Sequence, residues 1–135
     1  MPLFDWGAAL DVGVTNMNDE HKIILQFMNQ LYDQSAAGAD KSTLSETINK
    51  LEKATIAHFS DEENYMKSIA FPKFCMHKIT HQDLLQKFAY HKANFENGNG
   101  EIPKAFFDFL LLWLSTHIQG IDRKYGEHST FKKEE

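Results

Sequence analysis

Apolar residues recur every three or four positions along four segments of the chain, with polar residues between them. This spacing places the apolar side chains of each segment on one face of a helix. The four predicted helix starts are marked by residues that commonly begin a helix or interrupt the chain before one: Asn16 or Asn18, the stretch 40–43, Pro72 and Pro103. Because the connections are short, the pattern predicts an all-α, up-down-up-down four-helix bundle.

The helix ends and the flanking segments are also indicated. The first helix should end before Gly38, and Thr43 and Glu46 should form a capping box at the start of the second. Apolar residues alternate at positions 10, 12 and 14, which predicts an extended N-terminal arm over residues 1–17. Residues 126–135 form a charged tail. The chain of 135 residues is therefore interpreted as a single domain.

Charge and composition argue against several classes of partner. The 14 basic and 19 acidic residues give a net charge of −5 and no basic stripe, so we do not expect nucleic-acid binding. The longest apolar run, residues 105–114, is interrupted by Asp108, so we expect no membrane insertion. No secretory signal is recognisable at the N-terminus, and Cys75 is the single cysteine. These features predict a cytoplasmic protein, with Cys75 buried as a small apolar residue.

Metal-ligating residues lie on the apolar faces of all four predicted helices. His58 and Glu62 are four residues apart, as are His77 and His81, so each pair leaves the same face of its helix. A histidine or carboxylate in an apolar seam needs a strong partner. Five imidazoles and two carboxylates together suit a pair of transition-metal ions. The candidate ligands are His21, His58, Glu62, His77, His81, His117 and Asp122.

Residue counts place these ligands at one level of the bundle. His21, His58, His81 and His117 each lie roughly 15–16 residues from the loop at the same end, or about 22–24 Å at 1.5 Å per residue. Asp122 does not fit an ideal helix, because five residues after His117 it points about 140° away. The last helix is therefore expected to widen locally or to end there, and Gly120 is the predicted position of that irregularity.

The segments His58-Phe-Ser-Asp-Glu62-Glu63, His77-Lys-Ile-Thr-His81 and Trp113-Leu-Ser-Thr-His117-Ile-Gln-Gly-Ile-Asp122 carry a family resemblance. With Asn18-Asp-Glu-His21-Lys22, they resemble the hemerythrin family in its bacterial branch, over essentially the whole chain. One departure is Asn18, where the family pattern has an aspartate. The resemblance implies two iron ions (Fe2+/Fe3+) that share an oxo or hydroxo bridge and bind dioxygen. It assigns His77, His81 and His117 to one iron, His21 and His58 to the other, and Glu62 and Asp122 to both.

This assignment leaves one iron with six ligands and the other with five, so a single open position is expected beside His21 and His58. Dioxygen, or a small anion such as azide, would bind there. Adjacency along the helices predicts an apolar lining for this position: Ile24, Leu25, Phe59, Trp113, Leu114 and Ile118. Zinc is the alternative metal, because affinity order alone does not exclude it.

Three functions are consistent with this site. The first is oxygen storage or transport, the second is a sensor of oxygen, nitric oxide or redox state, and the third is a di-iron peroxidase or scavenging enzyme. We rank oxygen binding first, with no enzymatic role, because no spare acid or base is evident near the predicted pocket. A sensor would act through a separate signalling protein, and a carrier would supply an oxygen-consuming one. A monomer and a small homo-oligomer both remain open.

Two neighbouring residues receive structural interpretations. His91 lies ten residues, or about 15 Å, beyond His81 on the same helix, too far to share a metal. It is interpreted as a core residue or a helix cap. Glu63 is interpreted as a solvated carboxylate, or as one that orients His58 or a neighbouring ligand.

Overall fold

A computed structural model of the chain describes residues 12–122, 124, 125 and 127, although not the side chains of residues 114, 115 and 119–121. These residues form four helices, and the last continues as a π-helix (Trp113–Asp122): α1 (Thr15–Ala36), α2 (Lys41–Ser68), α3 (Phe74–Glu96) and α4 (Lys104–Leu112). The all-α prediction with four helices is confirmed. No helix in the described ranges is long and apolar enough to cross a bilayer.

The start of α1 differs from the prediction. The helix begins at Thr15, and neither Asn16 nor Asn18 caps it. The Asn18 side chain instead accepts a hydrogen bond from the backbone N–H of Val12 at 3.0 Å, so it anchors the chain before the helix. Val12 is buried against the core. The predicted arm is thus replaced by helix from residue 15, and residues 1–11 lie outside the described part of the chain.

The connection from α1 to α2 depends on the identity of two residues, Gly38 and Asp40. Gly38 has a φ of +76°, a conformation in which a side chain is strained, and it ends α1 as predicted. Asp40 caps α2 by accepting a hydrogen bond from the Thr43 backbone N–H at 2.8 Å. The predicted capping box of Thr43 and Glu46 is wrong, because Thr43 is the capped residue and not the cap.

The core contains apolar residues from every helix. Its wholly buried members include Met28, Leu31, Ile48, Leu51, Phe88, Phe95, Phe106 and Leu110. Each contributes about 1.5–3 kcal/mol through burial, which helps to offset the burial of polar groups elsewhere. The predicted metal ligands lie early in α1 and α3 and late in α2 and the π-helix. The wholly buried residues named above therefore lie nearer the α1–α2 and α3–α4 loops, and the polar cluster lies toward the opposite end of the bundle.

Candidate metal centre

All seven predicted ligands are buried together, and none has more than 3% of its surface exposed. They form two groups in which the candidate ligand atoms lie within 4.8 Å of one another. One group contains His77, His81 and His117, and the other contains His21 and His58. Glu62 and Asp122 belong to both groups. The candidate ligands, which residue counts placed at one level of the bundle, therefore lie close together in the structure.

Asp122 turns one oxygen toward each group. Its Oδ1 atom lies 2.8 Å from Nε2 of His77 and 2.9 Å from Nε2 of His117. Its Oδ2 atom lies 3.2 Å from Nε2 of His21. A carboxylate in this orientation can offer one oxygen to each of two neighbouring cations.

Glu62 also lies between the groups. Its Oε1 atom is 3.2 Å from Nε2 of His58 and 3.1 Å from Nε2 of His81, which belong to different groups. Its Oε2 atom is 3.5 Å from Nε2 of His21. The two carboxylates thus separate a three-histidine half from a two-histidine half.

The π-helix explains how Asp122 reaches the site. Hydrogen bonds in a π-helix join residues five apart, so residues at that spacing share a face. His117 and Asp122 are five apart, and both point inward. The expected widening is confirmed, but it begins at Trp113, seven residues earlier than the predicted position at Gly120.

Many polar atoms of the cluster have no hydrogen-bond partner within the described residues. These buried atoms without a partner include Nε2 of all five histidines, Oε1 of Glu62 and both oxygens of Asp122. Such atoms are expensive to leave unpaired. Five convergent imidazole nitrogens and two carboxylates match the ligands that iron, zinc and copper prefer, so the residues present fit a pair of transition-metal ions.

The electrostatics of the cluster also favour cations. Burial by itself raises the pKa of the Glu62 carboxyl, but the surrounding imidazoles, His58 foremost, hold this pKa well below its usual range. The pKa of Asp122 is lowered too, because His117 and His21 outweigh burial and the charge of Glu62. Burial lowers the pKa of His58, whereas Glu62 and Glu20 raise it to about 10. The two buried carboxylates therefore favour the ionised form, which is the form that binds a cation.

Two carboxylates outside the cluster contact histidines that are candidate ligands. The Nδ1 atom of His58 lies 2.6 Å from Oε1 of Glu20, and Nδ1 of His81 lies 3.1 Å from Oε2 of Glu63. Such contacts fix the orientation of an imidazole and increase its basicity. Of the two interpretations of Glu63, the contact agrees with a carboxylate that orients a neighbouring candidate ligand, here His81. Glu20 was missed, because it lies on a different helix from His58.

Tyr125 is a third outer partner, and it was also missed. Its hydroxyl donates a 2.7 Å hydrogen bond to Oε2 of Glu62. Burial, reinforced by the charges of Glu62 and Asp122, raises the pKa of this phenol, so it remains protonated at neutral pH. Its position three residues after Asp122 gave no signal, because its direction depends on the local helix geometry.

Five of the six predicted pocket residues are buried: Ile24, Leu25, Phe59, Trp113 and Ile118. Phe59 contacts the cluster directly, since its ring stacks on His81 with centroids 3.9 Å apart. It also contacts the ring of Trp113 at 5.8 Å. The side chain of Leu114 lies outside the described residues. The lining of an open coordination position stays a prediction.

Two other interpretations have clear outcomes. His91 stacks on Phe106 and Phe109, with ring centroids 5.6 and 5.1 Å away, and belongs to neither group of candidate ligands. Its structural interpretation is confirmed. Cys75 is exposed, so its predicted burial is wrong. It lies on the outer face of α3, two residues before the inward-facing His77.

Comparisons with known proteins agree with this geometry. Residues 12–128 match the family model described as "Hemerythrin HHE cation binding domain". The bacteriohemerythrin of Methylococcus capsulatus is 31% identical over 127 residues, covering 93% of this chain and 96% of the relative. The myohemerythrin of Theromyzon tessulatum is 31% identical over 122 residues, covering 90% of each chain.

Solved structures give the same result. The crystal structure of wild-type hemerythrin superposes with a TM-score of 0.83 at 30% identity, covering 93% of this chain and 96% of that chain. A leucine-to-alanine mutant of hemerythrin superposes with a TM-score of 0.85 at 29% identity, covering 95% and 98%.

Proposed function

Because the chain belongs to the hemerythrin family, we propose that it binds dioxygen reversibly at a non-haem di-iron centre and thereby stores or delivers dioxygen. The observation that carries this proposal is the orientation of Asp122, which turns Oδ1 toward His77 and His117 and Oδ2 toward His21. A single-metal site would not need a buried carboxylate directed to two separate sets of histidines.

In this proposal, His77, His81 and His117 hold one iron, and His21 and His58 hold the other. Glu62 and Asp122 serve both irons. Two irons so held would supply the two electrons that dioxygen accepts when it binds. The half with fewer protein ligands, that of His21 and His58, would receive dioxygen, or azide in its place.

The apolar neighbours of the site support binding in preference to further chemistry. Phe59, Trp113 and Ile118 are each at most 3% exposed, and Phe59 lies against His81. Side chains of this kind exclude water and so slow the delivery of protons that would convert bound oxygen into released products. We therefore propose a carrier role, with only weak peroxidase-type activity.

The optical spectrum of the iron-loaded protein tests this function. Reduced protein should change its spectrum on exposure to air and recover when oxygen is removed, through repeated cycles. Azide should bind once per pair of irons. His91→Ala is the matched control, because that histidine packs on Phe106 away from the cluster. Rapid multiple turnover with peroxide, or a single irreversible oxidation by air, would contradict a carrier and favour an enzyme or a redox sensor.

A further inference from the structure

Tyr125 makes a contact that ligand assignment does not explain. Its side chain is wholly buried, and its hydroxyl donates to Oε2 of Glu62, which is also wholly buried. Its ring contacts Tyr65 and His77, with centroids 5.7 and 5.8 Å away. The phenol is therefore held in place on one side of the carboxylate.

This hydrogen bond distinguishes the two oxygens of Glu62. Oε1 faces His58 and His81 at 3.2 and 3.1 Å, whereas Oε2 faces the phenol and lies 3.5 Å from His21. The other shared carboxylate differs, because neither oxygen of Asp122 has a hydrogen-bond partner within the described residues. Of the two shared carboxylates, Glu62 is the one with a described donor outside the ligand set.

A carboxylate offers about four lone-pair directions and can chelate one cation with both oxygens. A donor on Oε2 occupies one of those directions and opposes rotation of the group. We infer that Tyr125 is a positioning residue, which keeps Glu62 turned so that Oε2 stays beside His21 while Oε1 stays between His58 and His81, an orientation in which the carboxylate can serve both metal ions. This inference rests on the proposed two-metal site.

The hydrogen bond also withdraws electron density from Oε2, which makes that oxygen a weaker metal ligand. Removing the hydroxyl should therefore strengthen this oxygen as a donor and favour the ferric state. Loss of Tyr125 is thus expected to lower the reduction potential of the iron-loaded protein. A residue that only fills space would change stability without moving the potential.

The test compares Tyr125→Phe with Tyr90→Phe, which removes the same hydroxyl from a side chain that is 64% exposed. Cobalt(II) serves as the metal probe, because its visible spectrum reports coordination geometry. We expect Tyr125→Phe to bind two cobalt ions with an altered spectrum. It should release metal to a chelator about tenfold faster, because the freed carboxylate rotates away from its shared orientation and this outweighs its stronger donation; loss of an outer-shell contact lowers metal affinity by about 10–100-fold. Its iron-loaded form should have the lower reduction potential. Tyr90→Phe should match the wild type in every measurement.

An unchanged spectrum, release rate and potential in Tyr125→Phe, with only a lower unfolding temperature, would overturn the inference. Fewer than two cobalt ions in the wild-type protein would instead contradict the proposed function.

A second measurement needs no substitution at Tyr125. Tyrosine labelled with 13C at Cζ should give four signals in the zinc-loaded protein, and the variants Tyr32→Phe, Tyr65→Phe and Tyr90→Phe identify three of them. In mixed H2O and D2O, the fourth should split, because a buried hydrogen-bonded hydroxyl exchanges slowly. A single averaged signal would show that the hydrogen bond is absent from the metal-loaded state and would overturn the inference.

Discussion

Replacing Glu20 with alanine should weaken the binding of one of the two metal ions and leave the binding of the other unchanged. Glu20 Oε1 lies 2.6 Å from Nδ1 of His58, whose side chain is 2% exposed. No such contact joins Glu20 to the other ligand histidines among the described residues. The variant therefore removes the acceptor that orients one imidazole while leaving the metal-binding Nε2 atom in place.

The size of the expected loss of metal affinity depends on how exposed the Glu20 side chain is. Removal of an outer-shell partner weakens metal binding by about 10–100-fold. Each factor of ten corresponds to about 1.4 kcal/mol. The Glu20 side chain is 28% exposed, so water can replace part of the lost hydrogen bond. We therefore expect a loss near tenfold, at the lower end of the range.

A zinc titration in competition with a chromophoric chelator would resolve the two binding steps. Glu63→Ala is the companion variant and should weaken the step that involves His81. Asp19→Ala is the control, because it removes the same charge from the exposed position next to Glu20. Equal weakening of both steps in Glu20→Ala, or the same loss in Asp19→Ala, would show that the effect is general electrostatics and not the orientation of His58.

Three further substitutions test the site and its surroundings. His117→Ala should lose iron and, by opening a hole in the packed cluster, lower the free energy of unfolding by about 2–5 kcal/mol; a full iron complement by metal analysis would contradict the ligand assignment. His91→Ala should keep its iron and its spectrum, and loss of iron would invalidate the separation of His91 from the site. Leu114→Ala should keep its iron but autoxidise faster in stopped-flow or optical decay measurements, because the sequence places Leu114 one turn before His117; unchanged autoxidation would remove Leu114 from the pocket.

The seven candidate ligands could be predicted because helical spacing converts sequence distance into direction and height. His58 and Glu62 share a face whatever the details of packing, since four residues make about one turn. The position of Asp122, which does not fit an ideal helix, was also informative. A residue five positions after His117 can reach the same site only if the helix is widened. The extent of the π-helix was not predictable, since no residue in Trp113–Asp122 marks where the hydrogen bonding changes.

Most of the site contacts that the sequence did not predict join residues of different helices. Whether Glu20 reaches His58 depends on the rotation of α1 against α2, which residue spacing within one helix does not determine. Tyr125 follows the π-helix, and its contact with Glu62 on α2 could not be deduced from residue spacing within one helix. The start of α1 was misplaced for a local reason, because Asn18 binds the preceding backbone and does not cap the helix.

The central claim is that seven buried side chains hold two irons. Iron analysis of protein produced with iron available tests it most directly, with zinc measured in the same sample. About two irons per chain, lost together on removal of Asp122, would support a shared carboxylate between two metal ions. About one iron per chain, or a site filled mostly by zinc, would contradict the di-iron centre.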